Sequence, residues 1–274
     1  MIDKASLISL LREADTYVSG QELCEHFGVS RNAVWKVINH LRADGYEIEA
    51  VPNKGYTLLS TPDILSKEEI ASRLSGAIGF NLFYYDSTDS TNIRIRRLAE
   101  EGAPTGTLAV ADMQTAGRGR RGRTWLSPAG MNVYMSLLLK PDITPQTAPM
   151  ITLLMALAVA RGITEVTGLD AQIKWPNDIV VNGRKVCGIL TEMDMEADYI
   201  RDVIVGVGIN INEALESDFA PDIRETATSL RIESGHVVNR ADIIAKSMES
   251  FMALYETFLS CKTLGFVQGE YDSR

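Results

Sequence analysis

The chain is short of cysteine, histidine, basic charge and long apolar runs, and each shortage closes off a class of protein. Its three cysteines, Cys24, Cys187 and Cys261, stand far apart and form no Cys-x-x-Cys pair, and three histidines are too few for a zinc site at standard spacing. A disulfide framework is excluded, and the cysteines are read as reduced thiols. Lys and Arg number 27 against 36 Asp and Glu, a formal net charge of −9. That balance argues against coating nucleic acid through bulk charge, while leaving room for a small DNA-reading module. The longest apolar run, residues 150–160, is about half as long as a bilayer-spanning helix needs to be. The opening MIDKASLISLL carries no basic n-region, apolar stretch or small-residue cleavage site. These features predict a cytoplasmic protein without a membrane segment. No internal repeat or low-complexity tract is found either. What remains is 274 residues, 45% of them hydrophobic, enough for two domains with true cores.

The first sixty residues have a pattern of their own. LISLLREA reads as a short amphipathic helix, and SGQELCEHFGVSRNAVWKVINHLRADGY as two more. Gly28 ends the middle one and Ser30 caps the next, the pattern of a helix-turn-helix. The third helix spaces Val34, Val37, Ile38 and Leu41 on one face. Arg31, Asn32, Lys36, Asn39, His40 and Arg42 fall mostly on the other, where side chains reach phosphates and base edges. EIEAVPNKGYTLL alternates apolar and polar residues around a Pro-Asn-Lys-Gly turn, a small hairpin that completes a winged helix. Winged helices also serve as protein-contact modules, and residues 1–60 hold six Lys/Arg against eight Asp/Glu. Trp35 suits either a core or a contact.

STPDILSKEEI contains a proline and a capping box, Ser66 with Glu69, so a new helix is expected from about Lys67. The boundary is set near Thr61, giving a domain at 1–60 and a second at 61–274. In the second, strands are expected in NLFYYD, TLAVADM, MNVYMSLLLK, AQIKW and YIRDVIVGVGININ. Two further strands flank Asn182-Gly183, a strong hairpin signal. Helices are expected at TNIRIRRLAEEG, at residues 145–168 and from Asn239 onward. Hairpins mixed with crossover helices predict an α/β (α+β) fold, a mixed sheet with helices packed on it.

Between two of those strands lies QTAGRGRRGRTW, with four arginines and three glycines in residues 117–123 of an acidic chain. Glycines let backbone N–H groups turn toward one point, and arginines supply forked donors matched to phosphate and carboxylate oxygens. A solvated loop or a nucleic-acid-binding tract has the same composition. Here, though, the run is tethered to apolar segments at both ends. It is not a P-loop, for it has no Gly-x-x-x-x-Gly-Lys-Ser/Thr, and it lacks the helix that the Rossmann fingerprint requires. KWPND, 174–178, offers a lysine, an amide and a carboxylate suited to phosphate and Mg²⁺, or simply a turn. In RKVCGIL, Lys185 sits among apolar neighbours, as a snorkelling surface lysine also would, and Gly188 allows close approach. GVGININ, 206–212, fits either sheet packing or a pocket wall.

DSTN (89–92), QTAGRGRRGRTW, KWPND, RKVCGIL and GVGIN occur in the order and approximate spacing found in biotin protein ligases. With the winged helix in front, the chain resembles the bifunctional kind that is also the biotin-operon repressor, from about residue 4 to 260. The resemblance implies the catalytic fold shared with class II aminoacyl-tRNA synthetases, and the substrates biotin and ATP with Mg²⁺. It implies biotin contacts at Ser90, Thr91, Asn92, Gln114, Gly117, Arg118, Arg120, Lys185 and Gly188. Arg121, Arg123, Trp125, Asn177 and Asn210 would face the nucleotide, and Asp178 the metal. Lys185, Arg118 and Arg120 would carry the chemistry. Arg31, Asn32, Lys36 and Asn39 would read operator DNA, a biotin carboxyl carrier protein would be the acceptor, and ligand would promote a homodimer. Two alternatives stay open: a biotin-sensing regulator without catalysis, and a lipoate-type ligase, whose usual downstream histidine is not seen. Members of the bifunctional kind continue into a small C-terminal β-barrel with a part in ATP and acceptor binding. This chain stops at Arg274, so the resemblance implies either a fragment or a protein without those contacts.

Overall fold

Asp3, Ser19 and Ser30 each accept a backbone N–H three residues on, and so open three helices: α1 (Lys4–Glu13), α2 (Gly20–Phe27) and α3 (Arg31–Ala43). Gly28 closes α2 in the left-handed conformation, its N–H bonded to Cys24 O. Strands β1 (Glu47–Val51) and β2 (Gly55–Ser60) pair antiparallel as the wing. Gly55 has φ 120°, and a Cβ there would lie 2.0 Å from Val18 O, so only glycine lets the wing close on the segment before α2. Leu7, Ile8, Leu11, Leu23, Val34, Ile38 and Leu41 form the core of this unit with Tyr46 and Ile48. A fourth helix, α4 (Lys67–Arg73), is capped by Ser66 and packs on α1.

The computed structural model describes residues 2–74, 80–196 and 199–274. Contacts divide the chain into two units, Met1–Ser75 and Gly76–Arg274; α4 therefore lies within the first.

The second unit is built on a seven-stranded sheet in the order β3-β4-β5-β9-β8-β7-β6. Its strands are β3 (Asn81–Thr88), β4 (Thr107–Gln114), β5 (Val133–Leu139), β6 (Gln172–Lys174), β7 (Asp178–Val181), β8 (Arg184–Glu196) and β9 (Tyr199–Ile209). Only β3 and β4 pair in parallel, joined by the crossover helix α5 (Thr91–Glu100); every other pairing is antiparallel. Asn182 and Gly183, at φ 50° and 78°, make the two-residue turn between β7 and β8.

Helix α6 (Pro149–Thr167) is long and apolar enough to cross a membrane by length and composition. Here Ile151, the run Leu154–Ala160 and Ile163 are buried instead, against the sheet and α8 (Arg240–Cys261). Gly162 makes that packing close, since a Cβ would come within 2.8 Å of Ser247 N. Two short helices, α7 (Leu230–Ser234) and α9 (Gln268–Ser273), complete the unit. Alternation along β8 separates its faces: Thr191 meets Thr152 of α6, and Glu192 turns the other way, toward Asn92 of α5.

Candidate functional site

A cavity of about 400 Å³ opens over the central strands of the second unit. Six separate stretches of sequence reach it: the start of α5, the end of β4 with the arginine loop, the turn before β7, strand β8, the end of β9, and the segment around Ile223 and Ala227. The inner wall is the first turn of α5. Thr91 N donates to Gln114 Oε1 at 2.9 Å, and Gln114 Nε2 donates to Ser127 Oγ at 2.9 Å. Ser136 Oγ lies 2.7 Å from Thr91 Oγ1 and 2.6 Å from Asn92 Oδ1. A Cβ on Gly206 would fall 2.1 Å from that Asn92 oxygen. The small residues of the β9 end are therefore what admit the asparagine. Behind this wall, burial raises the Asp89 carboxyl, but the Ser90 N–H, the Thr88 hydroxyl and Arg97 outweigh it and hold the group ionised below the usual range.

The arginine loop folds as a miniature hairpin. Gly119 N donates to Arg123 O at 2.7 Å and Trp125 N to Gly117 O at 3.0 Å. Arg121 and Gly122 at the tip have φ 58° and 74°. Gly117 has no room for a Cβ, which would meet Trp125 O at 2.3 Å. The Trp125 ring lies against β8 and β9, where a Cβ on Gly188 or Gly208 would come 2.8 or 2.6 Å from it. Beside that ring, Lys185 Nζ is 2.7 Å from Asp178 Oδ1 and 5.5 Å from the Trp125 ring centroid. Arg120 donates to Asn177 Oδ1, while Asn177 Nδ2 donates to Asp178 Oδ1 at 3.0 Å and Ile189 O at 3.2 Å. That chain ties the loop to the turn after the cis Trp175–Pro176 bond. Asn210 Nδ2 donates to Thr228 O at 3.1 Å. Arg118 pairs with Glu192 at 3.2 Å.

Of the residues singled out in this unit, Ser90, Thr91, Asn92, Gln114, Arg118, Arg120, Arg121, Arg123, Trp125, Asn177, Asp178, Lys185, Gly188 and Asn210 all line the one cavity. Gly117 does not; it stands behind the loop, against Trp125 O and Ser127 Oγ. Glu192, Ser136, Ile223 and Ala227 were not picked out from the sequence. Glu192 could have been, since it stands at i+4 from Gly188 on the same face of β8. Ile223 and Ala227 lie in an irregular segment with no periodic signal. Cys187 beside Lys185 is no nucleophile, because complete burial pushes its thiol far above the ordinary range. Among the described residues no group of three or more His, Cys, Asp or Glu gathers to hold a metal. Asp178 alone fits a cation that arrives with phosphates, since Mg²⁺ takes one or two carboxylates plus substrate oxygens.

In the first unit Arg31, Asn32, Lys36 and His40 are exposed and Asn39 is half-buried on α3, with Trp35 exposed among them. Arg42 departs from expectation. Its guanidinium donates to Ile48 O at 2.6 and 2.9 Å, tying α3 to the wing.

Residues 84–210 match the biotin/lipoate A/B protein ligase family, and residues 4–57 match a helix-turn-helix domain. The bifunctional ligase/repressor BirA of Bacillus subtilis (strain 168) is 46% identical over 259 residues, covering 94% of this chain and 79% of the relative. That of Escherichia coli (strain K12) is 34% identical over 205 residues, or 75% and 62% of the two chains. Among solved structures, the biotin protein ligase from Aquifex aeolicus in complex with biotin and ATP is similar. It has a TM-score of 0.59 at 32% identity and covers 70% of this chain and 76% of that one.

Proposed function

The chain belongs to the family of bifunctional biotin ligase/repressors, and from that premise we propose how its residues divide the work. It is an ATP-dependent biotin protein ligase in its second unit and a DNA-binding repressor in its first. The reading rests above all on one observation: Lys185, Arg118 and Arg120, from two distant stretches of sequence, converge on a single cavity.

Ligation begins with two anions that repel each other. The carboxylate of biotin attacks the α-phosphorus of ATP, the bond to the β-phosphate breaks, and pyrophosphate leaves. The acceptor lysine amine then attacks the carbonyl of biotinyl-5′-AMP and AMP leaves, so that an amide replaces the mixed anhydride. Cations fixed before the reaction offset the repulsion and stabilise the charge that builds on phosphorus. Lys185 bridges carboxylate and phosphate in this reading, and Arg118 and Arg120 close over them. Ser90, Thr91, Asn92, Gln114 and Gly188 hold biotin, with Gly117 keeping the loop close. Arg121, Arg123, Trp125, Asn177 and Asn210 face the nucleotide. Asp178 takes Mg²⁺, which supplies further positive charge at the phosphates. The acceptor is a biotin carboxyl carrier protein.

In the first unit Arg31, Asn32, Lys36 and Asn39 contact operator DNA. With more acids than bases in residues 1–60, one copy gains little from phosphates, whereas a dimer doubles the contacts and reads two half-sites. Adenylate therefore acts by favouring a homodimer. The protein works in the cytoplasm, in keeping with three free and separated cysteines.

The test is transfer of labelled biotin to a purified carboxyl carrier domain, run alongside sedimentation and operator-shift assays. ATP-dependent labelling and ligand-dependent dimers are expected. Biotin binding without transfer would leave a regulator that senses biotin, and DNA affinity indifferent to ligand would remove the switch.

A further inference from the structure

We infer that Glu192 is a positioning residue for the ligation reaction, fixing Arg118 and Asn92, which both line the cavity; this rests on the ligase reading above. A carboxylate bound to two residues that line a pocket for two anions works against substrate binding, so its presence calls for another reason. Its contacts supply one. Glu192 Oε1 lies 3.2 Å from Arg118 of the arginine loop, and Oε2 accepts from Asn92 Nδ2 at 2.9 Å. Arg96, one turn beyond Asn92 on α5, adds a longer ion pair at 3.6 Å.

Orientation is the first consequence. An amide can be turned over with little change in shape, but Glu192 accepts only from the nitrogen, which leaves Asn92 Oδ1 facing Ser136 Oγ at 2.6 Å. The second consequence is placement of the loop. Arg118 is 46% exposed and Glu192 only 19%, so the guanidinium is drawn inward by a partner that is itself held. The Asn92 amide lies close against Gly206 of β9, where a Cβ would fall 2.1 Å from its oxygen, so the same asparagine is bounded from the strand side as well. Glu192 thus couples three elements, α5, the arginine loop and β8, through one side chain. It touches neither reacting group in this account and acts through Arg118 and Asn92.

Glu192→Gln keeps an acceptor for Asn92 and removes the charge that holds Arg118. The measurements are biotin affinity by calorimetry and biotin-dependent pyrophosphate exchange, for the wild type, Glu192→Gln, Arg118→Ala and the double variant. Glu192→Gln is expected to lose about tenfold in biotin affinity and in kcat/KM for biotin, within the range that misplaced binding groups produce. In the Arg118→Ala background the same change is expected to cost less than about twofold, because coupled residues are non-additive. A loss of less than twofold in the wild-type background, or an equal loss in both backgrounds, overturns the assignment. Wild-type protein that binds biotin without exchanging pyrophosphate defeats the ligase reading while the binding cycle still judges Glu192; absence of biotin binding defeats both. An unfolding midpoint shared by all four proteins separates positioning from loss of fold, and a Glu192→Gln midpoint that falls with affinity counts against the inference.

Discussion

Glu69 in the first unit and Glu192 in the second are carboxylates each held by two arginines, and their surroundings set them to different tasks. The Glu69 side chain is wholly buried, paired with Arg12 and Arg73, with Tyr46 Oη donating to it at 2.6 Å. Burial first, and then this carboxylate, push the Tyr46 phenol well above its ordinary range. Its partners come from α1, α4 and the residue before β1, all within the first unit. Glu192 is partly open, and one of its arginines belongs to a loop at the mouth of the pocket. A buried, satisfied carboxylate specifies a fold, whereas a partly open one that shares its arginine with a pocket can be asked to give and take. If that contrast is sound, breaking Glu69 harms the first unit alone and breaking the pocket harms chemistry alone.

The largest effect is expected at Glu69. Glu69→Ala takes the carboxylate away from Arg12 and the buried Arg73, and breaking a buried ion pair in this way costs about 3–5 kcal/mol. Thermal unfolding should show one transition shifted down and operator binding lost. Adenylation should stay within about threefold, since separate units open separately. A matching loss of adenylation would show that the units do not act independently. Lys185→Ala is the converse. Losing one preorganised charge contact lowers a rate by about 10²–10³-fold, so pyrophosphate exchange should fall by that factor with both unfolding transitions unmoved. An exchange rate within threefold of wild type removes Lys185 from its role.

A smaller effect is expected from ligand on the arginine loop. Arg121 and Arg123 are exposed at the tip of its miniature hairpin, which is held by few backbone bonds. Such a segment opens at low cost, and anions that pair its arginines raise that cost. Trypsin should therefore cut at 118–123 several-fold more slowly with biotin plus ATP, an order-of-magnitude expectation for a loop ordered by ligand. Equal cutting in both states would show that the loop is already fixed.

The two units also differ in how far the sequence could be read. In the first, function follows from one helix whose apolar positions recur at helical spacing, and its cap Ser30 is a local signal. Arg42 is the exception, because its partner Ile48 belongs to the next element and no periodicity encodes that bond. In the second, the arginine run was visible through composition and Lys185 through the resemblance, but the side chains of the protein that hold them were not. Glu192 meets Asn92 a hundred residues away, and only the strand order brings them together. Ala227 reaches the cavity through a backbone bridge to Lys185, and its N–H bonds to Ile223 O, contacts that leave no mark on side-chain pattern.

The smallest expected effect tests how local the first unit is. Ser30 Oγ accepts from Ala33 N at 3.3 Å and is the side-chain cap of α3. Removing a serine cap costs about 1 kcal/mol. The cost falls on the turn that carries Arg31 and Asn32, the side chains assigned to DNA, so Ser30→Ala should weaken operator binding more than it lowers the melting midpoint. The reason is that a frayed first turn must be ordered again on the duplex, and that ordering is subtracted from affinity each time the complex forms. Gly at the same position, which caps nearly as well as serine, should lose only a few tenths of a kcal/mol. If Ser30→Ala and Ser30→Gly bind operator alike, the cap is not what presents Arg31 and Asn32, and the helix is held in place by Val34 and Ile38 in the core alone.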